Sequence, residues 1–141
     1  MTDVLFLITA RSGSKGVVNK NIKELFGIPL LAIRGLSALN LTDKENIWLS
    51  TDSEEYAQIG KKFGINVPFV RPKHLANDKA SSTDVVLHAM EHAESIGKKY
   101  KIIVLLEPTS PFVYFEDIKK AILKLKVNDE RFDTIKEYKN R

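Results

Sequence analysis

Cysteine is absent from the chain of 141 residues. That removes disulfide scaffolds, thiol nucleophiles and zinc–thiolate sites together, and it fits a reducing, cytoplasmic setting. Long apolar runs are missing too. The apolar stretch at residues 4–10 falls far short of the roughly 20 residues that a membrane helix needs. It has no basic segment before it and leads into Arg11 rather than a small-residue cleavage site, so neither a membrane span nor a secretion signal is expected. Glycine and proline number 7 and 5, too few for a low-complexity linker or a collagen-like repeat. Neither sign of charge dominates: 22 Lys and Arg against 18 Asp and Glu leave +4. That mild excess suits an anionic ligand, a nucleic acid or solubility alone.

What remains is an ordinary globular composition, 43% apolar and 28% charged, in a chain long enough for one domain. Val4-Leu5-Phe6-Leu7-Ile8 is a continuous apolar run, as in strands covered on both faces. A second strand is expected over residues 46–51 and another over 101–106, around Ile102-Ile103-Val104-Leu105-Leu106. Val67-Pro68-Phe69-Val70 reads as an edge strand, because Pro68 has no N–H to give a sheet interior. Helical patterns lie between. Ile28-Pro29-Leu30-Leu31 opens the first, with Leu30, Ile33, Leu36, Ala38 and Leu39 as its apolar stripe. Asp52 or Ser53 caps the next, which buries Tyr56, Ile59 and Phe63 and stops at Gly64. Ser81-x-x-Asp84 resembles a capping box and opens a helix to about residue 96 that buries Val86, Ala89, Met90 and Ala93. A last helix is expected over 115–127, followed by a polar, charged tail at 128–141.

Strand and helix therefore alternate. Alternation predicts an α/β fold, a Rossmann-like, mostly parallel sheet with helices on both faces, in one domain over residues 1–127. Ligands in such sheets sit at the carboxyl ends of strands. Residues 10–21, 51–53 and 107–111 each follow an apolar strand, so they are expected along one edge.

The first of these segments carries the chemistry. Ala10-Arg11-Ser12-Gly13-Ser14-Lys15-Gly16-Val17-Val18-Asn19-Lys20-Asn21 combines glycines, small hydroxyls and three cations. Small residues let backbone N–H groups approach a ligand, and Arg11, Lys15 and Lys20 add fixed positive charge. A polyphosphate needs both, in its ground state and as charge builds on a leaving group. Neither the Gly-x-x-x-x-Gly-Lys-Ser/Thr loop nor Gly-x-Gly-x-x-Gly is present. A solvated basic turn is the plainer reading of the same residues.

This loop resembles the amino-terminal signature of the acylneuraminate cytidylyltransferases, the CMP-sialic acid synthetases: Ala-Arg-x-x-Ser-Lys-Gly-x-x-x-Lys-Asn. Arg11, Ser14, Lys15, Gly16, Lys20 and Asn21 match it at the right spacing. Further blocks agree in order: Ser50-Thr51-Asp52; Arg71-Pro72 with Leu75-Ala76, Asp78 and Ala80-Ser81-Ser82; and Leu105-Leu106-Glu107-Pro108-Thr109-Ser110-Pro111. The resemblance spans roughly residues 4–127 and implies a fold of the nucleotide-diphospho-sugar transferase type. It implies transfer of CMP from CTP to an acylneuraminate or related 2-keto sugar acid, with Mg²⁺ on the phosphates and pyrophosphate leaving. It places nucleotide contacts at Arg11, Ser14, Lys15, Gly16, Lys20, Asn21, Arg71 and Ser82, with Arg11, Lys15 and Lys20 stabilising the departing pyrophosphate. The sugar side falls to Glu107 and Thr109. Neither nucleic acid nor a membrane is an implied partner.

Two departures stand out. Glu107 replaces the family's Gln, so a group that donates and accepts gives way to one that, when ionised, only accepts. Tolerated drift, a different sugar or a metal ligand are its three readings. The family is also longer, and its second half supplies a pair of metal-binding aspartates and a segment for homodimerisation. The chain is therefore expected to be an amino-terminal portion of such an enzyme, its metal ligands unknown. An inert CTP-binding or interaction module is the alternative from another class, and a basic nucleic-acid binder ranks below it for want of an aromatic platform. His88 and His92 share a helix side without the His-Glu-x-x-His pattern and are expected on the surface. Trp48 is expected to pack on the sheet, and 98–101 to be a solvated turn.

Overall fold

The computed structural model describes residues 3–11, 22–76, 81–108, 119–124 and 134–138. Val4–Thr9 forms β1, fully buried over its first five residues. It is flanked in parallel by β4 (Ile47–Ser50) and by β5 (Ile102–Leu106), every residue of which is buried. A fourth parallel strand, β6 (Thr134–Tyr138), pairs with β5, so the sheet order is β4-β1-β5-β6. Burial on both faces explains why β1 and β5 read as continuous apolar runs.

β1 alternates between two cores, as a period of two requires. Val4, Phe6 and Ile8 point to one face, covered by α1 (Leu30–Ala38), α2 (Glu54–Lys62) and Ile122 of the helical segment 119–124. Leu5 and Leu7 point to the other, covered by α3 (Ser82–Ser95) through Val85, Val86, Ala89 and Ala93. Ser53 caps α2 by accepting from the Tyr56 N–H at 3.2 Å. Ser81 and Asp84 form the reciprocal capping box that starts α3. Asn66 makes a single parallel bridge to Trp48, whereas the segment 67–70 expected as an edge strand forms no strand.

Three expectations are corrected. Ile28–Pro29 is not the first turn of a helix but a strand, β3, paired antiparallel with β2 (Glu24–Leu25), and Pro29 is the cap residue before α1. α1 buries Leu31, Ala32, Arg34, Gly35 and Ala38, while Leu36 and Leu39 face solvent. Small residues on the inner face let this helix lie close: a Cβ on Gly35 would stand 2.6 Å from Ile65 Cδ1. Finally, the polar tail expected at 128–141 contains β6. A charged segment is tolerated there because it lies at the sheet's edge. Residues 115–118 and 125–127 of the last expected helix lie outside the described residues.

The β2–β3 turn puts Phe26 at φ 55°, with its side chain 95% exposed. A left-handed conformation costs a bulky residue about 1–2 kcal/mol, and almost no packing is lost on replacement. Phe26→Asn is expected to raise stability by about 1 kcal/mol in chemical denaturation, since Asn tolerates that conformation.

Candidate functional site

β1 passes through α1 to β4 on one side, and the chain then crosses through α3 to β5 on the other side. The connections diverge between β1 and β5, and the carboxyl ends of two such strands, hereafter the crevice position, are where α/β sheets hold ligands. Register aligns the ends: Thr9 pairs with Ser50, Ile8 with Leu106, and the Ala10 N–H donates to the Ser50 carbonyl at 3.1 Å. Arg11, Thr51, Asp52 and Glu107 therefore emerge along one edge. α3 runs back against the strands, as a parallel crossover demands, so Ser82 at its start belongs to the same edge.

Arg71 is the most constrained residue here. Only 4% exposed, it donates from Nη1 to the Leu75 carbonyl at 3.2 Å and from Nη2 to the Ser50 carbonyl at 3.4 Å. Its backbone N–H donates to the Thr51 carbonyl at 2.7 Å. Arg11 Nη1 reaches the Ala76 carbonyl at 3.5 Å. The two guanidinium groups thus bind neighbouring carbonyls of one short turn and tie it to the ends of β1 and β4. Burial pushes Arg71 below the ordinary guanidinium value, Asp52 draws it back up, and Arg11 pushes it down. Two arginines within reach of each other's charge, with one aspartate beside them, leave local positive potential for an anion.

On the opposite flank, Arg34 of α1 is 1% exposed and donates from Nε to the Glu107 carbonyl at 3.3 Å. Among the described residues its Nη2 is buried with no hydrogen-bond partner, and burial lowers the side chain's affinity for the proton. Sequence reasoning missed this residue, because arginine in a helix reads as solvent-facing. The signal was its place in line with Leu31 and Ala38, the small and apolar positions that α1 buries.

Of the residues singled out from sequence, the structure brings Arg11, Arg71, Ser82 and Glu107 to this edge. Ser14, Lys15, Gly16, Lys20, Asn21 and Thr109 lie outside the described residues. Among the described residues, no group of three or more His, Asp or Glu could hold a metal ion. Magnesium bound with a triphosphate needs only one or two carboxylates, and Asp52 and Glu107 follow strands at this edge.

Two other features lie elsewhere. A groove of about 480 Å³ opens between Lys44, Lys61, Lys98, Trp48 and Pro68, at the amino ends of β4 and β5 and so away from the crevice. The segment 98–101 is only partly a solvated turn: Tyr100 is buried and donates to Asn46 Oδ1 at 2.8 Å. His88 and His92 are not on the open surface as expected. Their rings stand edge-on to Phe69 at 4.6 and 5.3 Å, and His92 also meets Trp48 at 5.7 Å.

Burial holds His88 below the ordinary imidazole value; Glu91 opposes this, while Arg71, His92 and His74 reinforce it. The unfolded chain therefore takes up the proton first. Stability from the neutral ring is present above the unfolded pKa and is lost as pH falls from about 7 toward 5. Thermal midpoints across that window are expected to drop, and His88→Phe, which keeps a ring against Phe69, is expected to flatten the slope.

Comparisons with known proteins agree with this architecture. The sequence model of the family described as Cytidylyltransferase matches residues 5–139. The pseudaminic acid cytidylyltransferase of Campylobacter jejuni is 38% identical over 128 residues, which is 91% of this chain and 55% of that protein. The N-acylneuraminate cytidylyltransferase of Escherichia coli is 43% identical over 111 residues, 79% of this chain and 25% of that one. A solved CMP:2-keto-3-deoxy-manno-octonic acid synthetase complexed with CTP superposes with a TM-score of 0.72 at 22% identity, covering 89% of this chain and 48% of its own. That likeness shows the fold. The chain spans about half the length, or less, of the curated relatives named here. No helix among the described residues is long and apolar enough to cross a membrane.

Proposed function

The chain belongs to the cytidylyltransferase family, and from that premise we propose that it binds CTP at the carboxyl edge of the sheet and serves transfer of CMP to a 2-keto sugar acid of the acylneuraminate type. The observation that carries this reading is the meeting of Arg11 and Arg71 at the ends of β1 and β4, beside the β1–β5 crevice. An anion is favoured there, and Arg11 begins the loop that also holds Lys15 and Lys20. In the reaction, the sugar's anomeric hydroxyl oxygen forms a bond to the α-phosphorus while the bond to pyrophosphate breaks, and the hydroxyl proton passes to solvent. Transfer of this kind depends on positioning and electrostatics more than on covalent help. Lys15, Lys20 and Arg11 offset the charge that gathers on the departing pyrophosphate.

Ser82, in the first turn of α3, offers a hydroxyl where the helix dipole favours negative charge. Glu107 and Thr109 are assigned to the sugar in this reading. Glu107 or Asp52 would be the carboxylate to hold a magnesium ion carried with the triphosphate, and that ion would further neutralise the phosphate oxygens.

The test is pyrophosphate release from CTP and Mg²⁺ with N-acetylneuraminate or pseudaminate as acceptor. Release that requires both CTP and one sugar acid supports the reading and identifies the acceptor. CTP binding without release restricts the chain to nucleotide binding. Absence of CTP binding refutes the proposal.

A further inference from the structure

Arg34 presents a cost that the fold alone does not repay. Its side chain is 1% exposed, its Nε donates to the Glu107 carbonyl at 3.3 Å, and among the described residues its Nη2 is buried without a partner. A buried charge left partly unsatisfied is destabilising, and replacing it with an apolar side chain of similar volume is often neutral or stabilising. The neighbours of Arg34 on the inner face of α1 are Leu31, Gly35 and Ala38, which ask for nothing polar. Its location is specific, however. It touches the residue that follows β5, on the border where the chain connections diverge. Unsatisfied buried groups at such places point to a ligand that completes them.

We propose that Arg34 is a binding residue of the crevice, whose Nη2 donates to one anionic oxygen of the bound ligand. A carboxylate of the sugar acid and a phosphate oxygen of CTP offer the same chemistry, and a planar guanidinium suits either. The inference rests on the proposed reading of this edge as a nucleotide and sugar-acid site. It also gives a physical setting for Glu107: a guanidinium anchored to the backbone of that residue offsets the repulsion that a carboxylate there exerts on an acidic ligand.

The experiment compares wild type, Arg34→Met and Arg34→Lys as full chains. Thermal midpoints are measured without ligand and with inorganic phosphate, and CTP and N-acetylneuraminate are titrated separately. Arg34→Met is expected to melt at or above wild type and to lose about tenfold or more in affinity for at least one of the two ligands. The ligand that loses affinity identifies the source of the oxygen. Arg34→Lys, with charge but no fork, is expected to fall between.

Unchanged affinities overturn the proposal whatever the midpoints do. A lower midpoint in Arg34→Met with equal weakening of both ligands also overturns it, because the arginine then only supports the Glu107 carbonyl. If wild type binds neither ligand, the CTP reading fails first. The phosphate arm then decides: protection of wild type that Arg34→Met lacks upholds the anion site, and equal midpoints reject it.

Discussion

Arg71→Ala is expected to lower the stability of the fold by about 2–4 kcal/mol, measured by chemical denaturation. The Leu75 carbonyl loses its side-chain donor. The Ser50 carbonyl keeps only the Ala10 N–H, having lost Arg71 Nη2. Asp52 loses the positive charge that faces it. Each loss leaves polar groups at a site where water has little access, and groups left unsatisfied when buried carry most of the cost. Arg71→Lys is expected to recover only part of the loss, because one ammonium cannot reproduce a fork that spans two carbonyls. Arg71 is therefore both a structural tie and a source of charge, and the turn it holds is the same one that Arg11 touches.

The second large effect is expected in function. On the proposed function, Lys20→Ala should reduce CTP-dependent pyrophosphate release by about 10²–10³-fold, measured as kcat/KM, with little change in thermal midpoint. One preorganised donor aimed at developing charge is worth about that much. Lys20 lies in the same basic, glycine-containing sequence segment as Arg11 and Lys15, so the substitution tests the electrostatic role that the proposal gives it. A fall in midpoint comparable to that of Arg71→Ala would mean that Lys20 supports the loop itself.

How much of this was legible in the sequence depended on what each residue costs to bury. β1 and β5 were readable because Val4-Leu5-Phe6-Leu7-Ile8 and Ile102-Ile103-Val104-Leu105-Leu106 have no plausible place but a doubly covered sheet. The caps at Ser53 and Ser81 were readable because their chemistry is local. The inner face of α1 was not. Of the expected stripe Leu30, Ile33, Leu36, Ala38 and Leu39 only Ala38 is fully buried; the larger side chains outweigh Ala32 and Gly35 in hydrophobicity, yet close approach to Ile8 and Ile65 selects the smaller side. Arg34 travelled with that error, since the face that buries it was assigned to solvent. β6 was missed for a different reason: its pairing with β5 spans more than 20 residues of chain, and its charged composition carries no strong strand signal. The histidines of α3 were placed outside because their contacts, Phe69 and Trp48, come from other elements. In the candidate site, motif spacing led to Arg11, Arg71, Ser82 and Glu107, whereas Arg34 needed coordinates.

The most direct test of the central claim is calorimetric titration of the chain with CTP and Mg²⁺, comparing wild type with Arg11→Ala and Lys98→Ala. The two substitutions remove one cation from opposite ends of the sheet, the first beside the crevice and the second in the lysine-lined groove. The account predicts that wild type and Lys98→Ala bind CTP alike and that Arg11→Ala binds at least about tenfold more weakly. Binding that survives Arg11→Ala and is lost in Lys98→Ala would contradict it, and would move the nucleotide to the other edge of the sheet.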